Sequence, residues 1–241
     1  MARRIICIIF LITGSCTLAS AKKLSVSGSL ELYSAYMWRG SRECGPNVSP
    51  TLSLSLGNFT LQSYGTIAFD GSYKEVDWDL SYKIKDFTFH LADYYFYSPS
   101  YGFPENYFQF KKDKTTTHIQ EAIICYEPEK LPFALRWFTF LHGNWIPEDD
   151  GSLGRPSFSS YLEAEVYHDF SPQSRLSLLG GASVFKGMFT SYTKNFAVIN
   201  VMLKYSYTFD LGPVSMPLNL SYIINPYAKT SWLNAGIGVA F

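Results

Sequence analysis

Residues 231–241 read Ser-Trp-Leu-Asn-Ala-Gly-Ile-Gly-Val-Ala-Phe and end on an aromatic side chain. Counting back from Phe241, every second residue is apolar, and the residues between them are mostly small or polar. Because successive side chains of a β-strand point to opposite faces, this alternation predicts a strand with two different faces. The apolar face suits the hydrocarbon around a transmembrane barrel or the core of a soluble β-sandwich. This strand alone leaves both folds open.

The same two-residue period recurs along the chain and predicts about twelve strands. They cover residues 24–39, 50–56, 59–69, 75–84, 87–97, 115–126, 133–142, 157–167, 175–185, 195–209, 214–224 and 231–241. Within residues 75–84, apolar side chains alternate regularly with charged or hydroxyl side chains. A charged face of this kind fits a water-filled lumen much better than the core of a sandwich.

The connections between the predicted strands alternate between long and short. Bacterial outer-membrane barrels have longer extracellular loops, short periplasmic turns and an even number of strands. We therefore predict an all-β protein, a single antiparallel up-and-down transmembrane β-barrel with both termini on the periplasmic side. No stretch after residue 21 has the roughly 18 consecutive apolar residues of a spanning helix. A soluble β-sandwich is the alternative fold.

The first 21 residues have the pattern of a secretory signal peptide. Arg3 and Arg4 precede an apolar run over residues 5–12, and Ala19-Ser20-Ala21 fits a small-x-small cleavage site. A lipoprotein signal with Cys16 as the lipidated residue is the alternative. The chain is thus divided into a signal peptide, 1–21, and a barrel, 22–241, and the predicted location is the outer membrane of a Gram-negative bacterium.

The composition agrees with a membrane barrel and disfavours nucleic-acid binding. Only 17% of the residues are charged and the formal net charge is zero, whereas soluble domains have about 25% charged residues. The 18 Tyr, 19 Phe and 5 Trp suit aromatic girdles at the two membrane interfaces. The outer girdle is predicted to contain Tyr36, Trp38, Tyr95 and Tyr97, and the periplasmic girdle to contain Tyr205, Tyr207 and Phe209.

Two motifs resemble known outer-membrane barrels. Phe241, with Val239 and Ile237 before it, resembles the C-terminal signature that the barrel-assembly machinery reads. The run Tyr36-Met37-Trp38-Arg39-Gly40 resembles the Tyr-x-Trp/Phe-Arg-Gly opening of a family of outer-membrane barrels of unknown function in Gram-negative bacteria, porin-like in architecture. Similar members also carry Asp-Tyr-Tyr-Phe and His-x-x-Glu stretches, here 93–96 and 118–121. The resemblance implies a fold, a location and two partners, outer-membrane lipid and the assembly machinery, but no reaction.

The cysteines and acidic loops do not predict a metal or cofactor. Cys44 is predicted in a loop and Cys125 in a strand; an exported pair permits a disulfide but does not require one. No clustered Cys and His residues indicate zinc. Asp149-Asp150-Gly151 lacks the spacing of a calcium-binding loop.

Charged residues of both signs fall on the predicted lumen face. The candidates are Glu31, Arg39, Glu75, Asp77, Asp79, Lys83, Arg136, Glu163, Glu165, Arg175 and Lys204. They form either ion-pair networks in a closed interior, with Lys83 and Arg136 opposite the acids, or a solute pathway. We also hypothesise that Arg39 turns inward and ties the rim to an acidic partner.

The predicted function is a narrow channel or binding barrel for small solutes. The alternative is a structural or surface-interaction barrel with a plugged interior. A barrel hydrolase is disfavoured, because His90, His118, His142 and His168 all lie outside the known nucleophile motifs. We therefore predict no enzymatic activity.

Overall fold

The structure, a computed structural model, describes residues 23–97, 106–110 and 116–241. Twelve strands form a closed barrel, and two short hairpins lie in the loops between them. The barrel strands are β1 (Leu24–Tyr33), β4 (Asn47–Leu56), β5 (Phe59–Ala68), β6 (Lys74–Ile84), β7 (Phe87–Tyr97), β8 (His118–Tyr126), β9 (Phe133–His142), β12 (Ser160–Ser171), β13 (Ser174–Ser183), β14 (Ala197–Asp210), β15 (Ser215–Asn225) and β16 (Thr230–Ala240). The hairpins are β2 (Tyr36–Trp38) with β3 (Ser41–Cys44), and β10 (Trp145–Pro147) with β11 (Leu153–Pro156).

Each barrel strand pairs antiparallel with the next one along the chain, and β1 pairs with β16 to close the barrel. The prediction of an all-β antiparallel barrel with twelve strands is therefore confirmed. A short 3-10 helix, Met188–Thr190, lies in the loop between β13 and β14. Among the residues that the structure describes, no helix has the length and apolar character needed to cross a membrane.

Small residues on one face of the last strand explain how the barrel closes. Gly236 and Gly238 lie opposite Tyr33 and Glu31 of β1. A Cβ atom at Gly236 would lie 2.2 Å from the Tyr33 ring, and one at Gly238 would lie 2.5 Å from Cγ of Glu31. The glycines therefore make room for two large inward side chains of the first strand.

The outer surface of the barrel is apolar. Leucines on the outer face of different strands are widely exposed, for example Leu30 on β1 at 53%, Leu91 on β7 at 54% and Leu233 on β16 at 82%. The inner face instead carries buried polar groups such as Asn47, Thr66 and Glu121. An apolar surface of this extent is unfavourable in water and suits contact with lipid.

The first strand is shorter than predicted. It ends at Tyr33 rather than at residue 39, and the chain turns into the β2–β3 hairpin. Tyr36 and Trp38 line cavities inside the barrel, so the prediction that they belong to the outer aromatic girdle was wrong. Cys44, predicted in a loop, lies in β3.

Smaller differences concern strand ends and the cysteines. β8 begins at His118 rather than at 115, and β12 begins at Ser160 rather than at 157. Cys44 and Cys125 are free thiols, so the disulfide that the sequence permitted is not formed. The predicted signal peptide, 1–21, lies outside the described residues.

Candidate functional site

The β2–β3 hairpin has a tight two-residue turn. Its tip is the pair Arg39 and Gly40, with φ angles of 47° and 81°. Two consecutive residues with positive φ are typical of the two-residue hairpin turn that matches the twist of its strands. Glycine is needed at the second position, because a Cβ atom there would lie 2.0 Å from the carbonyl oxygen of Ile199. The tip therefore packs directly on the backbone of β14.

Arg39 at this tip forms an ion pair with the opposite wall. Its two terminal nitrogens donate to the two carboxylate oxygens of Glu121, at 2.8 and 2.7 Å. Glu121 belongs to β8, which is separated from β1 by five steps around the barrel in one direction and seven in the other. Glu121 is fully buried and also accepts a 2.8 Å hydrogen bond from the Tyr94 hydroxyl. The hairpin thus crosses the barrel interior and is tied at its far end.

Aromatic rings surround the guanidinium of Arg39. The rings that face it at 4.4 to 5.7 Å belong to Trp38, Phe138, Phe140, Tyr161 and Phe189. Such cation–π contacts stabilise a desolvated cation. Burial disfavours the charged form of Arg39, but the Glu121 carboxylate more than offsets this, and the pKa of Arg39 lies above its ordinary value. The Glu121 carboxylate therefore stabilises the buried guanidinium.

The hairpin lines two cavities. One, of about 500 Å³, is lined by the tip residues Trp38 and Arg39 together with Glu75, Phe189 and Tyr227. The other, of about 230 Å³, is lined by a different set that includes Glu31, Tyr36, Tyr64, Lys204 and Asn234. The two cavities have no lining residue in common. A third cavity, of about 340 Å³, borders both, sharing Tyr36 with the smaller one and Trp38 with the larger one, so hairpin side chains line all three.

Most of the predicted lumen charges are found in ion pairs or in these cavities. Arg136 bridges Glu163 and Glu165, with both nitrogen–oxygen distances at 2.8 Å. Glu31 and Lys204 line the smaller cavity.

Two predicted lumen residues lie at strand ends beside short turns and are exposed, and a third has an unforeseen partner. Arg175 pairs with Asp169 at 2.6 Å and is 43% exposed, near the tight turn between β12 and β13. Lys83 is exposed. Asp79 pairs with His90 rather than with Lys83. Of the two bases expected opposite the lumen acids, Arg136 forms ion pairs with Glu163 and Glu165, whereas Lys83 does not pair with Asp79.

Glu75 and Asp77 belong to none of the ion pairs described above. They are only 7% and 8% exposed, on the inner face of β6. One carboxylate oxygen of each, Oε2 of Glu75 and Oδ1 of Asp77, has no hydrogen-bond partner. Among the described residues, no group of three or more Asp, Glu, His or Cys side chains is arranged to hold a metal ion.

Several residues of this site were not identified from the sequence. Glu121 shares its alternate set with Ile119 and Ile123, so the pattern does not mark it as a lumen residue, and the ladder with β9 breaks between Gln120 and Glu121. Tyr161 alternates with Glu163 and Glu165 and therefore shares their face. Phe189 comes from a loop and carries no periodic signal. Only the His-x-x-Glu stretch ending at Glu121 could have identified the partner of Arg39.

Histidine–aspartate pairs occur on both faces of the wall. On the inner face, His90 Nδ1 lies 2.9 Å from Asp79. On the outer face, His118 Nδ1 lies 2.7 Å from Asp93, and His118 Nε2 lies 2.6 Å from the carbonyl oxygen of Tyr107. His118 is 1% exposed and stacks on Phe110 at 3.8 Å between ring centroids. The outer pair thus holds residues 106–110 against the outside of the barrel.

Solved structures with a similar fold are outer-membrane porins. The KdgM porin in complex with disordered oligogalacturonate has a TM-score of 0.50 at 13% identity, over 89% of this chain and 98% of that one. The NanC porin has a TM-score of 0.50 at 11% identity, over 90% of this chain and 99% of that one. The fold is porin-like. At these identities the likeness concerns the fold alone.

Comparison of sequences adds nothing to this likeness. No protein-family model and no curated protein matches the chain. Membership of the barrel family with the Tyr-x-Trp/Phe-Arg-Gly opening therefore stays a prediction.

Proposed function

We propose that the protein is an outer-membrane channel for small solutes, which the β2–β3 hairpin holds closed in the conformation described here. The observation that carries the proposal is the Arg39–Glu121 ion pair, which ties the tip of the hairpin to the opposite wall. The apolar outer surface and the porin-like fold support the proposed location. The alternating connection lengths support a periplasmic position for both termini, and Phe241 is the residue that the assembly machinery would read.

The interior favours passage of a solute over a purely structural role. Polar and charged side chains line the cavities that the hairpin borders. The hairpin is short, with three residues in β2 and four in β3. The Arg39–Glu121 pair and a hydrogen bond from Asn225 to the carbonyl oxygen of Gly40 hold this small element, which can leave the lumen without unfolding the wall, whose strands pair independently of it. Mixed charges in the lumen suit small polar or ionic solutes, and the proposal assigns no enzymatic activity.

Single-channel conductance in a planar bilayer tests this function. Residues 22–241 would be refolded as wild type, Arg39→Ala and Glu121→Gln, with Arg175→Ala as a control for loss of an arginine that pairs locally. We expect long closed periods for wild type and Arg175→Ala, and frequent stable openings for both hairpin variants.

Folding must be checked in the same samples, by the heat-modifiable gel mobility of intact barrels. If all variants fold but none conducts, the channel is excluded. The structural barrel with a plugged interior would then be the better assignment.

A further inference from the structure

Three adjacent strands bring Asp79, His90 and Cys125 together on the inner face of the barrel. His90 Nδ1 lies 2.9 and 3.1 Å from the two carboxylate oxygens of Asp79. His90 Nε2 lies 3.8 Å from the sulfur of Cys125. The carboxylate, imidazole and thiol thus form a continuous chain from β6 through β7 to β8.

The hydrogen-bond partners determine what each ring nitrogen of His90 can do. An ionised carboxylate only accepts hydrogen bonds, so Nδ1 must carry the proton that faces Asp79. Nε2 is then free either to accept the thiol proton of Cys125 or to donate that proton back to the thiolate. A base held in one tautomer by a carboxylate, beside a thiol, is the arrangement that activates cysteine nucleophiles.

The surroundings of Cys125 allow access to its thiol. Its direct cross-strand neighbours are Thr88 on β7 and the cationic Arg136 on β9. Arg136 is itself paired with Glu163 and Glu165. Cys125 is partly exposed, and Asp79 and His90 line a cavity of about 340 Å³. A small molecule in the lumen can therefore approach this group.

Cys44 provides an internal contrast. It is 6% exposed, and its thiol donates to the carbonyl oxygen of Gly45 at 3.5 Å. Its side chain packs against Tyr73. The two thiols of the described chain therefore differ in exposure and in the presence of a base.

We propose that Cys125 is a nucleophilic thiol, activated by His90 and positioned by Asp79, that exchanges with small disulfides entering the lumen. His90 Nε2 takes the thiol proton, and the Cys125 sulfur attacks one sulfur of the disulfide. The disulfide bond breaks as the new bond to Cys125 forms, and the departing thiolate takes the proton from His90. The product is a mixed disulfide inside the lumen and one free small thiol, so electrons and protons balance.

The test uses oxidised glutathione as the disulfide and measures the rate of the mass increase of the refolded barrel, residues 22–241. All proteins carry Cys44→Ala, so that Cys125 is the thiol that reacts. The control for exposure places a cysteine at Ser206, which is also half-buried on the inner face but lies on β14, in a Cys125→Ala background. We expect Cys125 to react at least about tenfold faster than this control thiol, because general base catalysis contributes about 100-fold or more.

Two further variants separate activation from simple access. His90→Ala should lower the rate to that of the control thiol, and added imidazole should restore part of it. Asp79→Asn should lower the rate by a smaller factor, since it changes the orientation of His90 rather than the base itself. Equal rates for Cys125 and the control thiol, or no effect of His90→Ala, would overturn the proposal.

Folding and channel function do not confound this test. If His90→Ala fails to give a heat-modifiable barrel, His90→Gln serves in its place, because it keeps a polar side chain without a titratable base. The rates are measured without a bilayer, so the two results are independent. A barrel that does not conduct can still show a fast reaction of Cys125, and a conducting barrel can show none.

Discussion

Two arginine–carboxylate pairs in this barrel have nearly the same geometry but different positions. Arg39 contacts both oxygens of Glu121 at 2.8 and 2.7 Å. Arg175 contacts both oxygens of Asp169 at 2.6 and 2.9 Å. The first pair has exposures of 7% and 0%, and the second has exposures of 43% and 47%.

The two pairs also differ in what they join. Arg39 and Glu121 are 82 residues apart and link the hairpin to the far wall, whereas Arg175 and Asp169 are six residues apart on two strands that already pair. Removing one partner of a buried pair leaves an uncompensated charge, whereas an exposed pair contributes little. Burial and connectivity, rather than the geometry of the ion pair, therefore decide how much stability is lost when one partner is removed.

The largest effect is expected for Arg39→Ala. It should lower the free energy of unfolding by about 3–5 kcal/mol, because Glu121 would stay buried without its counter-charge. Urea-induced unfolding of the barrel in lipid vesicles measures this difference.

A double variant sharpens the same prediction. Arg39→Ala with Glu121→Gln should be less destabilised than the sum of the two single variants, with a coupling energy of about 0.5–3 kcal/mol. Strict additivity would mean that the two residues contribute independently, and the tie described here would be wrong.

A smaller effect is expected for Gly40→Ala, which leaves all charges unchanged. The new Cβ atom would lie 2.0 Å from the Ile199 carbonyl oxygen, and φ at this position is +81°. We expect a loss of about 1–3 kcal/mol, with more frequent channel openings, because the hairpin tip no longer fits against β14.

Gly71→Ala is the matched control for backbone strain. Gly71 also has a positive φ, of +73°, but no atom lies within 4 Å of its added Cβ position. It should lower stability by less than Gly40→Ala and leave conductance unchanged. An equal effect of both variants on conductance would contradict a specific role of the hairpin tip.

The smallest effect is expected for Arg175→Ala. Its pair is exposed to solvent and joins strands that pair through their backbones, so stability and conductance should match those of wild type. A loss of stability as large as that of Arg39→Ala would refute the argument that burial decides the value of these pairs.

The residue pattern alone is enough to predict the wall of the barrel. Alternation of apolar and polar residues predicts each strand locally, because neighbouring side chains of a strand face opposite sides. The bounds Phe87–Tyr97 and Phe133–His142 agree with those predicted. Alternating connection lengths then predict the up-and-down order, since short turns can join only adjacent antiparallel strands.

The contents of the interior depend on long-range contacts that the residue pattern does not contain. The two-residue period continues from Leu24 to Trp38, so local pattern does not distinguish a long strand from one that turns inward after Tyr33. Glu121 lies 82 residues from Arg39, and only barrel closure brings the two together. The same holds for Cys125 and His90, 35 residues apart, whose contact depends on the pairing register of β7 with β8. Periodicity assigns a side chain to a face, but its neighbours on that face come from distant parts of the chain.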